Sequence, residues 1–218
     1  MKIALLGGTG NVGGGLALRW ARNHEIIIGS RGREKAEGAA DNYTKQLAEK
    51  HIPCNILGCD NATAIKRANV VVLSIPYEHV ISTIDKTRES FRDKIVITPV
   101  VPMKKADGYF IYTPPKEGSA AVEVKNALPE STKVVSIYHS IPSEKLADLD
   151  KVLEYDVIIC GDDENAKHVV SDLTKEIKNL RPLDGGPLAV SSMVEAMTPL
   201  LMNIMIKNRL KNPSIKFL

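Results

Sequence analysis

The short run Lys2–Leu6 is ended by Gly7 and opens onto Gly8-Thr9-Gly10-Asn11-Val12-Gly13. That segment has the spacing G-x-G-x-x-G. Val12–Arg22 then repeats apolar residues at helical intervals, at Val12, Leu16, Leu18 and Ala21. A glycine triplet set between a strand and a helix restricts the fold more than any other feature of this chain. Gly8 permits the tight turn, Gly10 lets the backbone approach a pyrophosphate, and Gly13 lets helix and sheet pack closely. The helix start then offers unbonded N–H groups and a positive dipole end to phosphates. The plainer reading is that these glycines serve only a turn, loosened further by Gly14 and Gly15.

The same alternation of strand and helix continues along the chain. Glu25–Ile28 is a β-branched run ended by Gly29, and Arg33–Lys50, rich in Ala, Glu and Lys, reads as a solvated helix. Asn69–Ile75 and Lys94–Thr98 are continuous β-branched runs, suited to strands buried on both faces of a parallel sheet. Pro76 and Pro99 close them. Further on, Gly118–Leu128 reads as a helix, Lys133–Ile137 and Tyr155–Cys160 as strands, and Glu164–Lys178 as a helix. Leu180–Leu183 reads as a short strand or loop. Ser191–Lys207 reads as a long last helix, capped by Ser191 or Ser192 and kinked at Pro199. This pattern predicts an α/β fold: a Rossmann-type, doubly wound, mostly parallel sheet with a small C-terminal α/β extension. The expected division is residues 1–140 for the nucleotide and 141–218 for the extension. Its soft boundary lies near Ser140–Ser143, after the last strand of the sheet.

Composition removes several classes. A length of 218 residues suits one large domain or one and a half. A net charge of +3 gives no argument for nucleic acid or an anionic membrane. The apolar runs fall short of the roughly 18 residues a membrane-spanning helix needs. Cys54, Cys59 and Cys160 form no CxxC pair and read as reduced thiols of a cytoplasmic protein. No His, Asp and Glu residues share metal-ligand spacing. Asp162-Asp163-Glu164 reads as a helix cap. The chain has one Trp, six Tyr and three Phe, so its core must be aliphatic.

Candidate site residues lie where strands end. After the second strand an NAD site places an acid. Here the sequence is Gly29-Ser30-Arg31-Gly32-Arg33. Ser30 and Arg31, with Lys35 or Arg33, suit the 2′-phosphate of NADP, which a carboxylate would repel. The plainer alternative makes these arginines solvated loop charges. Ile75, Pro76 and Pro99 are expected against adenosine or nicotinamide, with Tyr77 covering it. His139 falls where a nicotinamide would end, while His79, His24, His51 and His168 are expected to be structural. The stripe Met193, Val194, Met197, Leu200, Leu201, Ile204 and Met205 reads as core or subunit interface, with a flat-ring contact as the sharper alternative. With so few aromatics, Ile, Pro, Met and backbone are expected to line the pocket.

Several segments together resemble the reduced coenzyme F420:NADP oxidoreductase family. They are KIALLGGTGNVGGG at Lys2–Gly15, GSRGREKA at Gly29–Ala36, LSIPYEH at Leu73–His79 and VVSIYHSIP at Val134–Pro142. LRPLDGGPL at Leu180–Leu188 and VEAMTPLLMNIMI at Val194–Ile206 complete the set. The resemblance implies hydride exchange between a 5-deazaflavin, coenzyme F420, and NADP, in a cytoplasmic homodimer or higher homo-oligomer. It assigns Thr9, Gly10, Asn11, Val12, Ser30, Arg31 and Lys35 to the NADP phosphates, and Ile75, Tyr77, Ile81 and Ser143 to the rest of NADP. It sets His139, Ile141, Arg181, Leu183 and the start of the last helix beside the deazaflavin. On that reading 141–218 completes the deazaflavin site and the dimer interface, and His139 stabilises a proton or charge. Two other classes fit the bare residues: an NADPH-dependent imine or carbonyl reductase, and a non-catalytic NADP-sensing module.

Overall fold

The computed structural model describes residues 1–218. In chain order the first half holds β1 (Lys2–Leu6), α1 (Asn11–Trp20), β2 (Glu25–Ser30), α2 (Arg33–Glu49), β3 (Asn55–Asp60), α3 (Asn61–Arg67), β4 (Val70–Leu73), α4 (Val80–Thr87) and β5 (Ile95–Thr98). A hairpin, β6 (Met103–Ala106) and β7 (Tyr109–Tyr112), leads to α5 (Ala120–Ala127) and β8 (Lys133–Ser136). Then come α6 (Ser143–Ala147), β9 (Asp156–Gly161), α7 (Glu164–Lys175), β10 (Arg181–Gly186), α8 (Ser191–Glu195) and α9 (Met197–Asn208).

Eight strands form one sheet in the order β10-β9-β8-β5-β4-β1-β2-β3. The pairs from β3 to β8 are parallel, β9 is antiparallel to β8, and β10 is parallel to β9. This is the doubly wound, mostly parallel sheet the alternation predicts. All four residues of β4 are buried, since helices cover both faces. The order reverses between β1 and β4, so the crevice beyond their C-terminal ends is where a ligand belongs.

The structure corrects two expectations and adds two elements that the sequence reading did not address. First, β8 is not the last strand of the sheet, because β9 and β10 carry it past residue 140. The later segment also wedges against α1. The Arg19 guanidinium there donates to the carbonyls of Lys145, Leu146, Asp148 and Lys151. Second, β3 is present although Asn-Ile-Leu-Gly-Cys-Asp carries little strand signal. It is an edge strand, and Gly58 lets α2 press onto it: a Cβ there would sit 2.3 Å from the Glu37 nitrogen. Third, the hairpin β6–β7 turns on Asp107-Gly108, both at positive φ, a strong hairpin signal between short and partly polar strands. Fourth, the last helix is two helices, broken at Ala196. Pro199 has no N–H to give the carbonyl of Glu195, so the break falls one turn before it. Neither Ser191 nor Ser192 caps α8; the cap position is Val190, and Ser191 Oγ is buried without a partner.

Candidate active site

The glycine loop stands at the reversal point. Gly7 N donates to Gly29 O (3.2 Å), while Ser74 N and Ser74 Oγ both donate to Leu6 O (2.9 Å each). The loop is thereby tied to β2 and β4. Gly13 faces Ser74 across α1: a Cβ on it would lie 2.6 Å from Ser74 Oγ and 2.7 Å from Gly8 Cα. Any larger residue would push α1 off the sheet. Gly10 is the cap residue of α1 and supplies no side-chain cap, so the first N–H groups of the helix are left for an anion. Tyr43 Oη donates to Gly8 O (2.8 Å) and steadies the loop from α2.

Two clefts flank this loop. The smaller, about 360 Å³, is lined by Ser30, Arg31, Asp60, Asn61, Ala62, His79, Ser82, Thr83, Lys86 and Thr87. Ser30 and Arg31 are where the sequence placed them. Lys35 lies outside, exposed on α2, and Arg33 is engaged by Glu37 (2.7 Å). Lys86 supplies a second cation from α4 instead. Asp60 is spent as the cap of α3, accepting from Thr63 N (2.9 Å) and Thr63 Oγ1 (2.6 Å), and those bonds hold its carboxyl below the usual range. Asn61 Oδ1 is buried with no partner, an acceptor left open at the cleft. His79, expected to be structural, lines this cleft. Neither Asn61 nor Lys86 carried a motif that announces it.

The larger cavity, about 600 Å³, runs from Gly10, Asn11 and Val12 past Leu73–Tyr77 and Pro99–Val101 to His139–Glu144. Its far wall is Thr198, Leu201, Met202 and Met205 of α9, with Met103, Asn212 and Pro213. The lining is mostly aliphatic, proline and methionine, as the aromatic count foretold. Tyr77 is the one aromatic ring facing it. Tyr138 reaches it only through its backbone: its ring turns into the core, 6.2 Å from the Trp20 ring, and its hydroxyl meets Thr174 Oγ1 (2.8 Å). Tyr138 has φ +74°, a left-handed turn unusual for a bulky residue. It directs consecutive side chains apart, Tyr138 into the core and His139 toward the cavity.

His139 is 6% exposed, and neither ring nitrogen has a partner. Burial pushes its pKa down to about 4. Thr198 Oγ1 donates to its carbonyl (2.7 Å), fixing the loop to α9. Behind Tyr77 lies a buried polar knot. Glu195 accepts from Ala120 N (3.0 Å), Ala121 N (2.9 Å) and Tyr112 Oη (2.8 Å), and burial raises its pKa. Burial, with Glu123 beside it, pushes Tyr77 up to about 12, so it stays a neutral phenol.

The sequence profile described as "NADP oxidoreductase coenzyme F420-dependent" matches residues 2–102. The F420-dependent NADP reductase of Methanocaldococcus jannaschii is 45% identical over 99% of this chain and 97% of its own. The chain belongs to the F420-dependent NADP reductase family. Another member, from Methanothermobacter marburgensis, is 36% identical over 99% of this chain and 97% of its own. A solved structure from Arthrobacter sp. FB24, described as a candidate of the same kind, superposes with a TM-score of 0.83. It is 24% identical over 100% of this chain and 99% of its own. An imine reductase from Streptomyces aurantiacus shares the fold at a TM-score of 0.62 and 14% identity, over 94% of this chain and 62% of its own.

Within the F420-dependent NADP reductase pattern, Ile75, Pro76, Tyr77, His139, Ile141 and Ser143 come together on the larger cavity. Three expected contacts do not join them. Ile81 packs half-buried on α4 against the core. Leu183 and Arg181 sit on β10 outside the cavity, and Arg181 is paired with Asp156. The open helix start, the unpartnered Asn61 oxygen and the unpartnered His139 ring suit a dinucleotide that carries phosphates, hydroxyls and a flat ring.

Proposed function

We propose that this protein exchanges hydride between NADP and the reduced deazaflavin of coenzyme F420, directly from ring to ring. One observation supports this above all: a single aliphatic cavity joins the glycine loop to the inner face of α9, and its one buried titratable group is an uncharged histidine. Thr9, Gly10, Asn11 and Val12 hold the pyrophosphate, with Gly8 and Gly13 setting the loop. Ser30, Arg31 and Lys86 hold the 2′-phosphate. Ile75, Pro76 and Tyr77 press the nicotinamide toward the far wall, and Ser143 borders it. The deazaflavin lies against His139, Ile141 and α9, so residues 141–218 act as the half that completes the site.

The two cofactors supply the hydride chemistry. The protein supplies alignment and dryness, a contribution of up to about 7–11 kcal/mol when reacting atoms are held at contact. His139, as a neutral imidazole, donates or accepts one hydrogen bond where charge changes on the ring beside it. An imine or carbonyl reductase would instead need a side chain that delivers a proton to its substrate during the transfer.

Catalytic amounts of enzyme with NADPH and oxidised deazaflavin will bleach the deazaflavin's visible absorbance. NADPH deuterated on the transferred face of C4 will leave its label in the reduced deazaflavin. Tight NADPH binding without bleaching would favour a sensor, and loss of label to water would exclude direct transfer. We further infer a homodimer, because α9 carries exposed apolar residues that this chain does not cover.

A further inference from the structure

The end of the chain is fastened rather than loose. Asp156, at the start of β9, has a side chain only 1% exposed and carries a buried charge. Arg181, at the start of β10, meets it with two bonds: Nε to Oδ1 and Nη2 to Oδ2, both 2.7 Å. The same two residues hold the C-terminal tail. Phe217 N donates to Asp156 Oδ2 (2.6 Å), Arg181 Nη2 donates to Phe217 O (2.5 Å), and Asp156 N donates to Ile215 O (2.8 Å). One step upstream, Ser214 Oγ donates to Ser140 O (2.8 Å), next to His139. Asn212 and Pro213 then form part of the cavity wall, where Asn212 Nδ2 reaches Glu144 Oε2 (3.3 Å).

We propose that Arg181 and Asp156 are positioning residues that clasp the C-terminal tail as a wall of the deazaflavin half of the cavity. This rests on the deazaflavin lying against His139, Ile141 and α9. Chain ends fray unless something ties them down. Here the tie is a set of charge-assisted bonds, roughly twice as strong as neutral ones. A buried carboxylate must keep its partner, and a guanidinium cannot surrender its proton to escape the pair. Removing either member therefore frees residues 212–217 from the edge of the site. Arg181 acts on the deazaflavin through the tail, without touching it.

The test measures hydrogen exchange across residues 212–218, together with equilibrium affinities for oxidised deazaflavin and for NADPH, in the full-length protein. Arg181→Met and Asp156→Asn will speed exchange in the tail. They will also weaken deazaflavin binding by about tenfold, the loss of roughly one net charge-assisted bond, while NADPH binding is unchanged. Arg181→Lys will recover part of the loss. Ser214→Ala, which leaves the ion pair intact and serves if the charge variants fail to fold, will weaken deazaflavin binding alone by a few-fold. Loss in Arg181→Met with none in Asp156→Asn would overturn the proposal, since Arg181 would then touch the ligand itself. A freed tail with unchanged deazaflavin affinity would also overturn it, as would full affinity in Ser214→Ala. Leu201→Trp separates the underlying placement, because it fills the α9 half. If that variant still binds deazaflavin normally, the placement fails, whatever the tail does.

Discussion

His139 reaches the cavity as an imidazole with two unpaired nitrogens and a pKa near 4, so at neutral pH it carries no charge. Its effect on turnover is that of one hydrogen bond: His139→Ala should lower kcat by about 10²-fold or less, the low end for acid–base assistance. Single-turnover rates check this, and a loss near a million-fold with deazaflavin affinity intact would refute it. The same burial couples to stability. The unfolded chain takes up a proton near pH 6.5 and the folded one only near pH 4. This group's contribution is therefore complete above pH 6.5 and declines as the pH falls toward 4. Denaturant titrations at pH 7 and pH 5 should show His139→Gln losing about 2 kcal/mol less than the parent between them. At the other end of the nucleotide, Arg31→Ala should raise the KM for NADPH about 10–100-fold and leave NADH unchanged, as loss of a bond to a charged group requires. An unchanged preference between the two would move the determinant to Lys86. Ser30, Arg31 and His139 were legible because they follow strand ends at fixed offsets. Asn61 and Lys86 were not, because they enter the cleft from α3 and α4, which the glycine spacing does not address.

Among the elements, the parallel core was readable wherever helices cover both faces, since full burial demands unbroken β-branched runs such as Val70–Leu73. It was least readable at the margins. The strand β3 borrows its packing from α2 through Gly58, and the hairpin β6–β7 rests on α9, where Asn203 Oδ1 accepts from Phe110 N (2.6 Å) and Asn203 Nδ2 donates to Phe110 O (2.8 Å). Neither strand advertises itself because neither makes a core of its own. Glu195 couples these late elements. From α8 it accepts the first N–H groups of α5 and the hydroxyl of β7's Tyr112. Glu195→Ala would strand two buried backbone donors at roughly 1–3 kcal/mol each. We expect thermal unfolding to show a loss of several kcal/mol for Glu195→Ala and a clearly smaller one for Glu195→Gln, which keeps an acceptor. Equal losses would mean that charge, rather than hydrogen bonding, holds the junction.

The whole molecule is an eight-stranded sheet and a hairpin, with one helix left partly uncovered. On α9, Thr198, Leu201, Met202 and Met205 line the cavity, while Leu200, Ile204 and Ile206 are exposed, as are Met193 on α8 and Leu210 after α9. The apolar runs read as too short for a membrane span, yet an 18-residue window within Leu188–Asn208 has a mean hydropathy of 1.4 with 22% of it buried, which meets a span's length and composition. Pro199 and the break at Ala196 lie inside it, and its inner face is already spent on the cavity. Leu200 and Ile204, one turn apart, leave an exposed apolar strip on α9, and such a strip marks an interaction surface. A second copy of the chain, packing α9 against α9 about a two-fold axis, would bury the patch on both partners at once. Each Leu or Ile so covered contributes about 1.5–3 kcal/mol. Light scattering at micromolar concentration should therefore give twice the chain mass of 23.8 kDa. The double variant Leu200→Glu and Ile204→Glu should give that mass once, because four buried carboxylates would face one another across the axis. The other side of the same helix lines the larger cavity, so on the proposed placement of the deazaflavin the monomeric variant should bind deazaflavin more weakly than the parent and NADPH equally well. A parent protein that runs as a monomer, or that sediments with lipid vesicles through this helix, would overturn the assignment of the patch to a second copy.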